Sequence, residues 1–254
     1  MARECSTGEI MASAGASVIQ DGQNIVVGIG LPQIAALLAQ NTHAPNICMI
    51  NEQGIIDPTP VDSSMGLADP RMWYKATHFS SFIGTLGNIL HRGKVDLGFL
   101  GTLEIDMYGN LNTLKLTFAD GSFRHFAGSG GGNDVASLAK EIVVIMRHEK
   151  RKFTPKVQHI TSPGYIAEGN LRKKLGLKGG GPSRVITDKA VMGFDKESGR
   201  MKLVSIHPGV KLEDVINNTG FELLMNKNIP VTEAPSDEQI DLLRNKIDPE
   251  GIYI

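Results

Sequence analysis

A glutamate at position 52 is the first residue whose surroundings suggest chemistry. Glu52 follows the apolar run Asn46–Ile50, and Gly54 comes two residues after it. If that run is a buried strand of a parallel sheet, Glu52 lies at the carboxyl edge of the sheet, where ligands bind in open α/β folds. A carboxylate held there can act as a nucleophile or as a general base. On position alone, an isolated loop glutamate is more often a solvated surface side chain.

A glycine-rich segment, Gly128–Asp134, is the second candidate. It reads Gly-Ser-Gly-Gly-Gly-Asn-Asp and leads into the apolar pattern of a helix. Glycines before a helix expose backbone N–H groups and let a ligand approach them, which suits a phosphate or a developing oxyanion. The segment lacks the Lys and Ser/Thr of a P-loop and the spacing Gly-x-Gly-x-x-Gly, so nucleotide binding is not supported. The alternative interpretation is a flexible loop.

Other polar features are weaker. The basic run Arg147–Lys152 is typical of a solvated face, although it could also meet a phosphate-bearing cofactor. The seven histidines are scattered without the spacing of a metal site, so no metal is predicted. The segment Thr161–Gly164 is typical of a turn and follows a predicted strand end.

Strands and helices are needed to position these residues, and the apolar pattern predicts them. Ser6 and Glu9 match a capping box at the start of a first helix. Asn24–Gly30 and Asn46–Ile50 are typical of buried strands, with a helix over Pro32–Gln40 between them. A strand, a helix and a strand at this spacing form a βαβ unit, which requires a parallel sheet.

Later apolar runs continue the same scheme. The strand-like runs are Val95–Leu100, Ile142–Met146, Val157–Ile160, Val185–Thr187 and Leu203–Ile206. The helical patterns lie at about Asn133–Lys140, Leu212–Asn217 and Asp237–Lys246. We therefore predict one domain over residues 1–254, with an open, mostly parallel α/β sheet and flanking helices.

Composition limits the classes of protein. The chain has 254 residues, 41% of them hydrophobic, which favours a globular protein over a disordered one. Its 26 basic and 27 acidic residues leave a net charge of -1, so neither nucleic acid nor an anionic membrane is expected as a partner. No apolar run reaches the ~20 residues of a membrane-spanning helix. Cys5 and Cys48 are far apart and form no disulfide framework, which favours the cytoplasm.

A series of segments, in order along nearly the whole chain, resembles the β subunits of the class I CoA-transferases, and most closely those of the glutaconate type. The matching segments are Val27–Pro32, Asn51–Gly54, Asp106–Asn110, Gly128–Asn133, Met146–Phe153, Thr161–Gly164, Val185–Asp188, Asn218–Phe221 and Ile247–Pro249. Each motif alone is weak, and their agreement in order is what makes the resemblance specific.

The resemblance implies a fold, a chemistry and a partner. The family has an open α/β sheet like that of sugar-phosphate isomerases, and its nucleophile is a β-subunit glutamate in a Glu-x-Gly turn, which Glu52 matches. Its glycine-rich segment belongs to the oxyanion site, so Gly130, Gly131 and Gly132, with Asn133, are expected to bind the substrate there. Coenzyme A enters as the acyl-CoA substrate, no metal is needed, and an α subunit completes a hetero-oligomer.

Two departures from the family pattern bear on the substrate. Gln53 stands where relatives have a small residue, and Asp134 stands where the glutaconate type has glycine. The acyl groups are expected to be small carboxylic acids, in particular dicarboxylic acids. Arg71 and Arg124 are the candidates to bind the far carboxylate, although each is more often a structural arginine.

Two other functions stay open at this point. The first is hydrolysis or decarboxylation of an acyl-CoA on the same scaffold, where the retained glutamate would act as a general base on water. Transfer of labelled CoA to an acceptor acid distinguishes that function from CoA transfer. The second is a regulatory or assembly subunit without catalytic activity, which predicts no acyl-CoA turnover with any partner.

Overall fold

The structure is a computed structural model that describes residues 4–63, 66, 69–169 and 171–254. Its strands are β1 Asn24–Val26, β2 Cys48–Ile50, β3 Ile55–Ile56, β4 His78–Phe79, β5 Leu97–Leu100, β6 Glu104–Asp106, β7 Leu111–Asn112, β8 Lys115–Thr117, β9 Phe123–His125, β10 Glu141–Ile145, β11 Phe153–Thr154, β12 Pro182–Ile186, β13 Ala190–Phe194 and β14 Met201–Ile206. Its α-helices are α1 Thr7–Ala16, α2 Leu31–Gln40, α3 Gly132–Leu138, α4 Leu171–Lys174, α5 Leu212–Asn217 and α6 Asp237–Leu242. A 3-10 turn covers Pro70–Trp73, and π-type helices cover Ile83–Leu90 and Leu243–Ile247.

A nine-stranded sheet organises the chain, in the order β14-β13-β12-β10-β5-β1-β2-β3-β4. The central strands β12, β10, β5, β1 and β2 are parallel, and the pairs at both edges are antiparallel. This confirms the predicted open, mostly parallel α/β sheet. From β1 the chain proceeds to β2 on one side, whereas β5, β10 and β12 extend the sheet on the other. The order therefore reverses between β1 and β5, and ligands bind at such switch points.

Both faces of the sheet are covered, which explains why the strand sequences are continuously apolar. Side chains alternate between faces along a strand, so Ile25 and Val27 pack against helices α1 and α2, while Val26 packs on the opposite side with the helix Ile83–Leu90 and α3. The predicted capping box is confirmed, because the Ser6 side chain accepts the N–H of Glu9 and the Glu9 side chain accepts the N–H of Ser6.

The prediction of a strand over 157–160 is wrong. Val157 is buried, but its N–H points at the Asp106 carboxylate, and the Gln158 side chain pairs with the backbone of Thr117. The segment therefore packs beside the small three-stranded sheet β11-β6-β7 and forms no ladder of its own. Among the described residues, no helix is long and apolar enough to cross a membrane.

Candidate active site

A cleft of about 640 Å³ lies at the carboxyl ends of the central strands, at the point where the strand order reverses. The residues that follow β1, β5 and β10 form its floor, among them Gly28, Gly101 and Arg147. Glu52, which follows β2, enters from one side, and the glycine-rich loop enters above the floor. The carboxyl edge of the sheet, where the sequence analysis expected Glu52, is therefore where the structure places the candidate site, and the strand order adds that this point is the switch point.

The turn that carries Glu52 depends on glycine at position 54. Asn51 forms the turn, because its side-chain oxygen accepts the N–H of Gln53 at 2.9 Å and its carbonyl accepts the N–H of Gly54 at 3.0 Å. Gly54 has φ +105°, a left-handed conformation, and any Cβ there would overlap the carbonyl oxygen of Ser80. Only glycine satisfies both conditions, so the Glu-x-Gly spacing has a steric cause in this chain.

The backbone of Glu52 is fixed, whereas its carboxylate is unengaged. The Thr85 hydroxyl donates a hydrogen bond to the Glu52 carbonyl at 2.8 Å, which ties the turn to the helix Ile83–Leu90. Within the described part of the chain, no group donates a hydrogen bond to the Glu52 carboxylate and no cation pairs with it. A half-buried carboxylate without a partner, on a rigid turn, is available to react with a ligand in the cleft.

The glycine-rich loop meets Glu52 directly. A Cβ at residue 131 would overlap Oε2 of Glu52 and lie 3.0 Å from Cδ1 of Leu86, so glycine leaves the space that the carboxylate occupies. Gly130 has φ +50° and Gly128 has φ +83°, which turns the loop back over the cleft before α3 begins. Two segments singled out from sequence, around Glu52 and around Gly131, thus form one site.

The backbone and side-chain groups of this loop differ in what they bind. The N–H of Gly132 donates to the carbonyl of Ser129 at 2.8 Å, and the Asn133 side chain donates to the carbonyl of Thr161 at 2.8 Å. The N–H groups of Gly130 and Gly131 form no hydrogen bond with the residues that the structure describes. Two free donors therefore remain in the loop, and one of them belongs to Gly131, the residue that lies against the Glu52 carboxylate.

A buried polar cluster supports the start of α3. The Asn110 side chain donates to the Asp106 carboxylate and accepts the N–H groups of Gly164 and Ile166. Burial raises the pKa of Asp106, against the lowering effect of the hydrogen bonds that its carboxylate accepts from Asn110, Tyr108 and Val157. This cluster joins the segments 106–110 and 161–164, and Thr161 in turn binds Asn133. The turn predicted at 161–164 thus holds the glycine-rich loop in place.

The side chains of the basic run at residues 147–152 line two different cavities. Arg147 lines the cleft, while Arg151 and Lys152 line a separate cavity of about 460 Å³ beside the β8–β9 hairpin. Arg147 lies two residues after the end of the buried strand β10, as Glu52 lies two residues after the end of β2, so the argument that located Glu52 would have located Arg147 as well. The sequence interpretation missed it by treating the run as one surface.

The chain end also lines the cleft, and no sequence signal indicated this. Ile252 and Tyr253 reach the cleft because the buried Asp248 carboxylate accepts the backbone N–H groups of Ile252, Tyr253 and Ile254. The Ser63 hydroxyl donates to the same carboxylate at 3.0 Å.

The two candidate arginines and the two residues that depart from the family pattern lie outside the cleft. Arg71 is paired with Asp69 and Asp62, and Arg124 lies on β9 beside the second cavity. Gln53 and Asp134 are exposed and are absent from the residues that form the cleft walls. Among the described residues, no group of three His, Cys, Asp or Glu side chains could hold a metal ion.

The fold and the site define an α/β protein that presents an unpaired carboxylate and a glycine-rich loop at a switch point. The family described as Coenzyme A transferase matches residues 9–218. The chain is 37% identical to one subunit of the glutaconate CoA-transferase of Acidaminococcus fermentans, over 97% of this chain and 94% of that protein. It is 35% identical to one subunit of the 3-oxoadipate CoA-transferase of Pseudomonas knackmussii, over 94% and 92%. The chain belongs to the coenzyme A transferase family.

Solved structures agree with this assignment. The chain matches the crystal structure of glutaconate coenzyme A-transferase from Acidaminococcus fermentans with a TM-score of 0.92 and 35% identity, covering 100% of this chain and 99% of that one. It matches the decarboxylase AibA/AibB with a TM-score of 0.82 and 23% identity, covering 98% of each chain. The second likeness is one of fold alone. The first match confirms the predicted family, and both matches confirm the predicted fold class.

Proposed function

We propose that this chain is the subunit of a cytoplasmic CoA-transferase that carries the nucleophile Glu52 and works with an α subunit. One observation carries the proposal: the Glu52 carboxylate has no partner among the described residues and lies in the cleft against Gly131, on a turn fixed by Gly54. A carboxylate is a poor nucleophile in water, but one positioned against a thioester can attack it.

The reaction exchanges the activated bond without ATP. The Glu52 carboxylate attacks the carbonyl carbon of an acyl-CoA, the C–S bond breaks, and CoA leaves as a thiolate from an acyl–glutamyl anhydride. The thiolate then attacks the glutamyl carbonyl of the anhydride, which releases the first acid as its carboxylate and forms a glutamyl–CoA thioester. The acceptor carboxylate attacks that thioester, and the same two steps run in reverse.

Each attack places negative charge on a carbonyl oxygen, and the glycine-rich loop supplies donors for it. The free N–H groups of Gly130 and Gly131 lie in the loop that meets Glu52, so we assign them to the oxyanion. Gly132, whose N–H is engaged by Ser129, contributes space in the cleft wall. Asn133 holds the loop through Thr161.

The relatives indicate the substrate class and the partner. Glutaconate and 3-oxoadipate, which the names of two relatives carry, are both short dicarboxylic acids. We therefore propose a dicarboxylic acyl-CoA or acid as one substrate of this chain. Both relatives are named as single subunits of their enzymes. This naming supports an α subunit as partner. It also predicts that the isolated chain does not catalyse CoA transfer.

The test uses the complex with a co-expressed α subunit. Glu52→Ala should lower CoA transfer by several orders of magnitude while acyl-CoA binding weakens much less, because no other carboxylate lines the cleft among the described residues. Glu250→Ala, which removes an exposed carboxylate near the chain end, is the control. Incubation with acyl-CoA followed by borohydride should leave a mass change on the peptide that contains Glu52.

Two results would contradict the proposal. Transfer by the wild-type complex with an unmodified Glu52 peptide would exclude the glutamyl–CoA intermediate. Release of free CoA and free acid, with no labelled CoA in the acceptor, would assign Glu52 to activation of water and the protein to hydrolysis.

A further inference from the structure

The cleft carries one cation that the transfer chemistry does not use. Among the described residues that line it, Glu52 and Arg147 are the charged side chains, and most of the others are apolar. Glu52 follows β2 and Arg147 follows β10, with β1 and β5 between them. Since neighbouring strands are ~4.8 Å apart, the two strand ends lie about 14 Å apart across the sheet. The cleft is therefore lined by an anion that follows β2, a cation that follows β10 and mostly apolar side chains.

The guanidinium of Arg147 has N–H donors that no described residue uses. Its Nη1 lies 4.0 Å from Oδ2 of Asp188, at the outer limit of an ion pair, and its side chain is 59% exposed. It donates no hydrogen bond to any residue that the structure describes, so its N–H donors remain available. Asp188 also accepts the backbone N–H of His148 at 2.6 Å, which fixes the carboxylate beside the guanidinium.

The two arginines that the sequence suggested for binding a carboxylate are engaged by other residues outside the cleft. Arg71 donates hydrogen bonds to both oxygens of Asp69 and to Asp62, and Arg124 stacks over the ring of Phe126 outside the cleft. Within the described part of this chain, Arg147 is the cation that a ligand in the cleft can reach.

We propose that Arg147 binds the carboxylate at the far end of the acyl group and thereby selects dicarboxylic over monocarboxylic substrates. This proposal rests on the proposed function, because it takes the thioester end of the same acyl group to be at Glu52. The apolar walls, formed by side chains such as Phe99 and Ile145, would contact the methylene chain between the two ends. A guanidinium matches a carboxylate with two parallel N–H···O bonds, which makes it selective for that group.

The test compares two acyl-CoA substrates of equal chain length, glutaryl-CoA and pentanoyl-CoA, on the complex with the α subunit. Arg147→Met should lower kcat/KM for glutaryl-CoA by roughly 10- to 100-fold, the value of a charge-assisted hydrogen bond, and leave pentanoyl-CoA unchanged or improved. Arg147→Lys should retain part of the preference for glutaryl-CoA, since lysine keeps the positive charge but cannot form the two parallel N–H···O bonds of a guanidinium. Arg124→Met is the matched control and should change neither substrate.

A binding measurement keeps the inference separate from the proposed function. The rise in Tm of the complex on adding glutaryl-CoA should shrink in Arg147→Met, and the rise with pentanoyl-CoA should not. This holds whether or not the complex transfers CoA, so absence of transfer would overturn the proposed function alone. If Arg147→Met lowers the rise in Tm equally for both acyl-CoAs, Arg147 acts on the CoA moiety. If the preference for glutaryl-CoA over pentanoyl-CoA is unchanged in Arg147→Met, the α subunit binds the far carboxylate. Either result overturns the inference.

Discussion

The Glu52 carboxylate lies against the Cα of Gly131, in a space that the side chain of any other residue would fill. The contact joins the turn after β2 to the loop before α3, two segments that are far apart in the chain and that both contribute residues to the cleft. It makes the position of the carboxylate depend on a residue that contributes no side chain.

Replacement of Gly131 by alanine should separate this contact from the stability of the fold. Gly131 has φ -71° and ψ -5°, so alanine fits the backbone, but its Cβ would displace the Glu52 carboxylate. We expect transfer to fall by about 100-fold, the usual cost of a misplaced reacting group. Tm should change little, because the displaced atoms are the end of a flexible side chain.

Gly132→Ala is the comparison for that variant. Its Cβ would lie 3.4 Å from Oγ of Ser162 and 3.5 Å from Cδ2 of Leu100, which are ordinary contacts. It should therefore lose far less activity than Gly131→Ala. Equal losses in both variants would mean that the loop as a whole, rather than the contact with Glu52, governs transfer.

Gly54→Ala should damage the turn itself. The substitution combines a left-handed backbone conformation with overlap on the carbonyl oxygen of Ser80, so we expect a loss of about 2–4 kcal/mol in the free energy of unfolding. Gly22→Ala is the control, because Gly22 also has positive φ but nothing lies within 4 Å of the added Cβ. Its cost should be about 1 kcal/mol, from backbone strain alone. Urea unfolding measures both, and equal costs would exclude the overlap with Ser80 as a cause.

Asp248→Ala should release the chain end from the cleft. The carboxylate holds the N–H groups of residues 252–254, and its removal leaves Tyr253 without this anchor. Amide hydrogen exchange in residues 252–254 should accelerate, and KM for acyl-CoA should rise, because Ile252 and Tyr253 line the cleft. Glu250→Ala, at an exposed position, should leave both unchanged. Unchanged exchange in Asp248→Ala would show that other contacts retain the tail.

A pH dependence of stability is expected from His148. Burial lowers the pKa of His148 to about 4, and the neutral ring bonds the hydroxyls of Thr187 and Thr219 while stacking on Phe153. The unfolded chain binds the proton near pH 6.5, whereas the folded chain resists it until about pH 4. Stability should therefore fall as pH decreases through this window, by at most about 3 kcal/mol.

His148→Gln should remove that part of the pH dependence, although its stability at pH 7 will be lower. Burial also lowers the pKa of His207, which leaves a residual slope of the same sign. Urea unfolding between pH 7 and pH 4 measures the difference in slope. Identical slopes in the two proteins would show that His148 does not titrate as its burial requires.

Several local features of the fold follow from the amino-acid sequence by itself. The capping box at Ser6 and Glu9, the buried strands that begin at Asn24 and Cys48, and the helix Leu212–Asn217 follow from patterns a few residues long. The turn at Glu52 is also local, since Asn51 and Gly54 set its geometry. These features were predictable because their stabilising contacts lie between near neighbours in the chain.

The tertiary structure decided which of these pieces form the site. Strand order places Glu52, the glycine-rich loop and Arg147 around one cleft, and no local periodicity encodes that order. Sequence reasoning chose Arg71 and Arg124 instead of Arg147, because strand order decides which arginine reaches the cleft, although the pairing of Arg71 with Asp69 and the stacking of Arg124 on Phe126 are themselves contacts between near neighbours. The C-terminal wall depends on Asp248 capturing the backbone that follows it, beside Ser63 from a distant segment. The sequence shows which residue types are present, but the distances between their side chains are set by how the sheet and its helices pack.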